Sequence, residues 1–138
     1  MKYLLLFIML INLSLHADLI DEAVAFWDFE TGSGTIAYDI SGNGNHGTLH
    51  DDTTWSLGKS GVAVSFDGSG DHIDVPDDPS LRFDVNTSFT VTGWFKRNGE
   101  SAADFHGLIG KGGQSDSGPG FEIYTHENWT DLTFRQTY

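Results

Sequence analysis

Short runs of Val, Ile, Phe, Thr and Trp alternate along this chain with clusters of Gly, Asp, Asn and Ser. Such runs favour extended backbone and such clusters favour turns, so the pattern is typical of an antiparallel β protein. Helical periodicity is weak after the N-terminal segment. The pattern predicts strands within residues 24–29, 61–66, 72–75, 88–96, 107–110, 120–125 and 131–137.

The longest of these runs, residues 88–96, alternates polar and apolar residues from Ser88 to Thr92 and continues as Gly93-Trp94-Phe95. Because successive side chains of a strand point to opposite faces, Phe89, Val91, Gly93 and Phe95 share one face. That face is predicted to pack in the core, and Trp94 is predicted to lie on the opposite face.

Residues 38–47 read YDISGNGNHG and form the densest turn signal of the chain. One interpretation is a tight connection whose side chains cap their own backbone. The other is a calcium site, since calcium prefers a cage of carboxylate, amide and carbonyl oxygens. The candidate ligands are then Asp39, Asn43 and Asn45. Asp71 is a further candidate, together with Asp67, whose alternative role is to cap the turn before Gly68.

The net charge limits the classes of binding partner, and the absence of cysteine limits the interactions that can stabilise the fold. The chain has 20 acidic and 7 basic residues, and its net charge of −13 argues against nucleic acid or an anionic membrane as a partner. It contains no cysteine, so disulfide bonds cannot stabilise it. A packed core, a bound metal or both must do so.

The N-terminus has the pattern of a targeting segment. Lys2 precedes an apolar stretch, and Leu15-His16-Ala17 is a plausible cleavage site, so residues 1–17 are predicted to be a signal peptide. The predicted location is secreted, periplasmic or at the cell surface, without membrane insertion after cleavage. An uncleaved anchor is the alternative, although the stretch is short for a membrane span. Residues 18–138 are long enough for one domain.

Five segments in this order resemble the laminin-G-like jelly-roll family, a branch of the concanavalin A-like lectin and glucanase fold. They are residues 26–35 (FWDFETGSGT), 38–47, 65–71 (SFDGSGD), 79–83 (PSLRF) and 88–96 (SFTVTGWFK). The resemblance implies an all-β antiparallel β-sandwich of jelly-roll type. His72 departs from the pattern, which usually has an aromatic such as Tyr there. The family pattern also continues past Tyr138, so a partial domain lacking its C-terminal strands is expected.

The resemblance implies a non-catalytic recognition module that binds a glycan or a surface protein and carries a structural calcium near the loop of residues 38–47. Sugar rings stack on aromatic faces, and the candidates flanked by polar residues are Trp55, Tyr124 and Trp129. The alternative for each of these aromatics is a place in the core.

Two other functions stay open at this point. One is a carbohydrate hydrolase, or an accessory domain of one whose catalytic domain is missing. Hydrolysis itself would need two carboxylates on one face of a strand, and Asp28 and Glu30 have that spacing. No further acid continues the pattern, so no catalytic residue is assigned and the chain is predicted not to be an enzyme. An adhesion or structural module without sugar binding is the other alternative. Residues 86–88 and 128–130 match the N-glycosylation sequon.

Overall fold

The computed structural model describes residues 20–84, 86–97, 105–112, 120–126 and 131–137. The predicted signal peptide and Trp129 therefore lie outside the described residues. The chain divides into two compact units, Met1–Leu81 and Arg82–Tyr138.

The described residues of the first unit, 20–81, contain five short strands and one turn of 3-10 helix. The strands are β1 (Ile36–Ala37), β2 (Gly47–His50), β3 (Thr54–Leu57), β4 (Val62–Ser65) and β5 (His72–Asp74), and the helical turn is Pro79–Leu81. β1, β2 and β5 form one antiparallel sheet in the order β1-β2-β5, and β3 pairs with β4 as a hairpin.

The sheet of β1, β2 and β5 packs closely around its central strand. Ala37 and Leu49 are buried, with 0% and 7% of their surface exposed. Gly47 in β2 is buried, and a β-carbon at this position would lie 2.5 Å from Cγ2 of Ile73 on the neighbouring strand β5. Ile73 thus occupies the space that a side chain at position 47 would need.

The described part of the second unit has three longer strands, β6 (Phe105–Lys111), β7 (Gly120–His126) and β8 (Leu132–Thr137). They form an antiparallel sheet in the order β6-β7-β8, and the β6–β7 pairing has a register shift between Gly107 and Ile109. Glu122 on β7 pairs with Arg135 directly opposite on β8. Such cross-strand ion pairs support the register of a sheet.

A cluster of four phenylalanines, of which Phe121 is buried and Phe134 is 53% exposed, packs within the second unit. Phe89 stacks on Phe83 with 4.5 Å between ring centroids and lies 5.0 Å from Phe121, which in turn lies 6.3 Å from Phe134. Phe121 is 7% exposed. Ring pairs of this kind contribute about 0.5–1.5 kcal/mol each beyond the area that they bury.

The all-β character predicted from the sequence is confirmed, with antiparallel pairing in every sheet of the described residues. Strands are present within or across five of the seven predicted segments. Segment 24–29 is not a strand, because it makes only the isolated bridge between Trp27 and Asp39. Strands β1, β2 and β3 were not predicted, because each is short and lies among turn residues.

The predicted strand 88–96 is also wrong, since this run lies in no strand. Of its expected core face, Phe89 is half-buried in the aromatic cluster, but Val91 and Phe95 are 37% and 57% exposed. Trp94 is 84% exposed. Alternation determines which side chains share a face only where a neighbouring strand holds the backbone extended. Among the described residues, no strand pairs with residues 88–96.

Candidate functional site

The loop of residues 38–47, called the Asp39 loop below, is organised by one carboxylate. Oδ1 of Asp39 accepts hydrogen bonds from the backbone N–H of Phe26 and of Ser41, both at 2.9 Å. Oδ2 accepts the backbone N–H of Asn45, also at 2.9 Å. Asp39 is only 5% exposed, so these three bonds hold both the loop and the segment before it around a buried charge.

The same bonds set the ionisation of Asp39. Burial raises the pKa of this carboxyl, but the hydrogen bonds from Phe26, Ser41 and Asn45 favour the charged form, and the net effect is a pKa below the ordinary value of 3.8. Asp39 is therefore a carboxylate throughout the neutral range.

The two asparagines of the Asp39 loop donate their amides to the protein itself. Nδ2 of Asn43 lies 3.1 Å from the carbonyl oxygens of Ala23 and of Val24. Nδ2 of Asn45, which is 4% exposed, donates to the Val24 oxygen at 3.0 Å and to Oγ of Ser80 at 3.1 Å. Gly42 and Gly44 have φ of +90° and +79°, which lets the backbone turn back between these contacts. These are the contacts expected of a loop that caps its own backbone.

His46 and Trp27 complete the Asp39 loop. The backbone N–H of Asp39 donates to Nδ1 of His46 at 3.0 Å, and Nε1 of Trp27 donates to the carbonyl oxygen of Asn45 at 2.7 Å. The His46 ring also meets Tyr38 edge-on, 5.3 Å between centroids. Because Ala37 and Asp39 face inward, the Tyr38 side chain between them faces outward and is 48% exposed.

Asp71 does not join this loop but belongs to a second group, the aspartate cluster of Asp52, Asp67 and Asp71. One carboxylate oxygen from each lies within 4.8 Å of the others. The register of β2 and β5 explains the meeting: His50 lies opposite His72 and their rings stack at 4.7 Å. The residues just after His50 and just before His72 therefore reach the same end of the sheet.

Hydrogen bonds in the turn of residues 67–71 shape the aspartate cluster. The backbone N–H of Asp67 donates to Oδ2 of Asp71 at 2.6 Å, and the N–H of Ser69 donates to Oδ1 of Asp67 at 2.7 Å. The second bond is the turn capping considered for Asp67. Oδ1 of Asp71 is buried and has no hydrogen-bond partner among the described residues. A buried carboxylate oxygen without a donor is costly unless a proton or a cation satisfies it.

Repulsion within the aspartate cluster acts on Asp52. Its own backbone N–H lowers the pKa of the Asp52 carboxyl, but the negative charges of the nearby Asp67 and Asp71 carboxylates raise it by more. The net direction is upward from 3.8. Carboxylates this close accept either a shared proton or a cation.

The aromatic candidates differ in how open their rings are. Trp55 in β3 is half-buried, and its Nε1 donates to the Gly34 carbonyl oxygen at 2.8 Å. Tyr124 in the central strand β7 is 8% exposed; its ring meets the His126 ring edge-on, and the guanidinium of Arg135 lies over it. Tyr124 therefore offers no open face for a ligand. Trp129 lies outside the described residues.

Asp28 and Glu30 do not project from one face of a strand. Phe29 between them has φ of +61°, which ends the extended backbone. Oδ1 of Asp28 accepts the N–H of Glu30 at 3.1 Å, and Oε1 of Glu30 accepts the N–H of Val62 at 3.3 Å. Both carboxylates thus bind backbone groups of the first unit.

The sequence did not identify Asp52 as a member of the aspartate cluster or Tyr38 as an exposed aromatic side chain. Asp52 carried no motif of its own, and only the pairing of β2 with β5 brings it to Asp67 and Asp71. Tyr38 had a usable signal, since it alternates with Ala37 and Asp39 at the start of the Asp39 loop.

Comparisons with family models, with curated proteins and with solved structures find no match to this chain. Among the described residues, no helix has the length and apolar character needed to cross a membrane.

Proposed function

We propose that this chain is an exported, non-catalytic recognition module that binds a glycan or a surface protein and is stabilised by calcium. The convergence of the Asp52, Asp67 and Asp71 carboxylates carries the calcium part of the proposal. Three carboxylates converge here, and Asp71 also has a buried oxygen, Oδ1, with no donor among the described residues. Carboxylates grouped in this way form the kind of hard, anionic ligand set that calcium prefers. The sequence resemblance to laminin-G-like domains supports the recognition part.

The calcium proposal rests on the aspartate cluster rather than on the Asp39 loop. Asp39, Asn43 and Asn45 are already engaged with the backbone, so that loop holds its shape without an ion. An ion at the aspartate cluster would neutralise three like charges and link the turn after β2 to the turn before β5.

Calcium binding is tested by thermal unfolding of the full chain in excess calcium and in chelator. Binding to the folded state stabilises it by about 2.7 kcal/mol when the free ion is at 100 times its dissociation constant. We expect calcium to raise the melting temperature of the wild type. The control variant Asp74→Asn changes an exposed aspartate of β5 outside the cluster and should keep this increase. Asp71→Asn should lose the increase. Equal melting curves in calcium and in chelator for the wild type would refute the calcium site.

For ligand recognition we propose Tyr38 as the aromatic platform. Its ring is half exposed, is supported at the edge by His46, and lies in the loop that also exposes Asn43. An open ring beside polar groups is what stacking against a sugar requires.

Binding to an array of glycans tests this platform. Tyr38→Ala should lose the glycan binding of the wild type, and Leu57→Ala, which removes an apolar side chain that is 92% exposed, should keep it. No glycan bound by the wild type, or equal binding by Tyr38→Ala, would contradict sugar recognition at Tyr38. The proposed ligand would then be a surface protein rather than a glycan.

Hydrolysis is not proposed for this chain. A retaining glycosidase holds two carboxylates about 5–5.5 Å apart across a cleft. Asp28 and Glu30 instead bind the backbone N–H groups of Glu30 and Val62, so neither is available in that geometry.

A further inference from the structure

We propose that Asn86 is an acceptor for an N-linked oligosaccharide. Residues 86–88 read Asn-Thr-Ser, in which Asn86 carries the acceptor amide and Ser88 supplies the required hydroxyl two positions later. This proposal is independent of calcium and of Tyr38. It requires only that the chain meets an oligosaccharyltransferase and its donor.

Exposure supports the proposal. Asn86, Thr87 and Ser88 are all exposed to solvent. None of the hydrogen bonds within the described part of the chain engages the Asn86 carboxamide. The amide nitrogen is therefore available for reaction without breaking a hydrogen bond among the described residues.

The backbone around Asn86 is held by Asp84. The N–H of Asn86 donates to Oδ1 of Asp84 at 2.6 Å, and the N–H of Thr87 donates to the Asp84 carbonyl oxygen at 3.0 Å. These bonds form a turn that satisfies its own backbone groups. Residues 86–97 lie outside every strand, so an enzyme can bind this segment without separating the ladder of β6, β7 and β8.

The reaction is a glycosyl transfer from a lipid-linked oligosaccharide diphosphate. The Asn86 amide nitrogen bonds to the anomeric carbon of the donor, and the bond from that carbon to the diphosphate oxygen breaks. The lipid diphosphate leaves with the electron pair, and the proton lost by nitrogen goes to a base of the transferring enzyme. No oxidation or reduction takes place.

The test incubates the purified full chain with an oligosaccharyltransferase and a lipid-linked oligosaccharide, and maps the product by mass spectrometry. We expect one oligosaccharide on Asn86 in the wild type and in Thr87→Ala, which changes only the middle position of the sequon. Asn86→Gln and Ser88→Ala should lose modification at this site. Circular dichroism of each variant verifies that it is folded.

A short peptide covering residues 82–92 serves as the positive control for the enzyme and donor. If the peptide is modified while Asn86 of the folded wild type is not, the site is inaccessible and the proposal fails. Modification of Asn86 that persists in Ser88→Ala would also overturn it, because the sequon would not then be what the enzyme reads.

Discussion

At the scale of single residues, Asp39 and Asp52 show how surroundings give one residue type opposite behaviour. Asp39 is buried but accepts three backbone N–H groups, and its pKa is lowered. Asp52 is exposed but faces two other carboxylates, and its pKa is raised. Donors stabilise the charged form, and neighbouring anions destabilise it.

Asp39→Ala is expected to lower the free energy of unfolding by about 1–3 kcal/mol, because buried backbone N–H groups lose their acceptor. Because the pKa of Asp39 is lower in the folded state, its contribution is full above the unfolded value of 3.8 and is lost as pH falls through the folded value. Asp39→Asn cannot ionise and therefore tests this pH dependence. Urea unfolding should show that the difference in free energy of unfolding between the wild type and Asp39→Asn shrinks as the pH falls through this range. A difference independent of pH would contradict this role.

Asp52→Asn is expected to change stability in opposite directions with and without calcium. In chelator, the variant removes repulsion from Asp67 and Asp71 and should melt at a higher temperature than the wild type. Because the pKa of Asp52 is raised in the folded state, this advantage should grow as pH rises through the folded value and vanish well below 3.8.

In excess calcium, Asp52→Asn should gain less stability than the wild type, because the proposed calcium site would lose one anionic ligand. Paired melting curves in chelator and in calcium measure both effects. A variant that is less stable than the wild type in chelator at neutral pH would show that repulsion does not dominate at this position.

At the scale of elements, pairing partners decide which apolar runs become strands. Residues 72–75 and 120–125 were predicted from composition and find neighbours in β2 and in β6 and β8. The run 88–96 is longer but has no partner strand among the described residues, and Phe95 and Trp94 are exposed. Local pattern favours a strand only when a neighbour accepts its hydrogen bonds.

Gly47→Ala tests the packing of β2 against β5. The added methyl group would meet Cγ2 of Ile73, and overpacking of this kind costs about 1–3 kcal/mol. Gly107→Ala in β6 is the matched control, because a β-carbon there meets no atom within 4 Å. Chemical unfolding should show a lower free energy of unfolding for Gly47→Ala and an unchanged one for Gly107→Ala. Equal stability of the two variants would mean that Ile73 moves aside at little cost.

At the scale of the whole molecule, the net charge of −13 opposes compactness through self-repulsion. Sodium chloride screens exposed charges separated by more than about 8–10 Å at 0.1–0.15 M. We expect added salt to raise the melting temperature at neutral pH. Near pH 4.4, the isoelectric point, the same salt should have little effect. An equal response at both pH values would mean that net charge does not limit stability.

The sequence by itself determined the all-β antiparallel character and the position of the Asp39 loop, because β-branched runs and Gly-Asn turns act on backbone nearest to them. It also marked Asp71 as a candidate ligand. Only the tertiary structure decided that Asp71 meets Asp52, because strand register joins residues far apart in the chain. It likewise decided that Tyr124 is buried and Tyr38 is open. Exposure depends on what covers a side chain, and residues distant in sequence provide that cover.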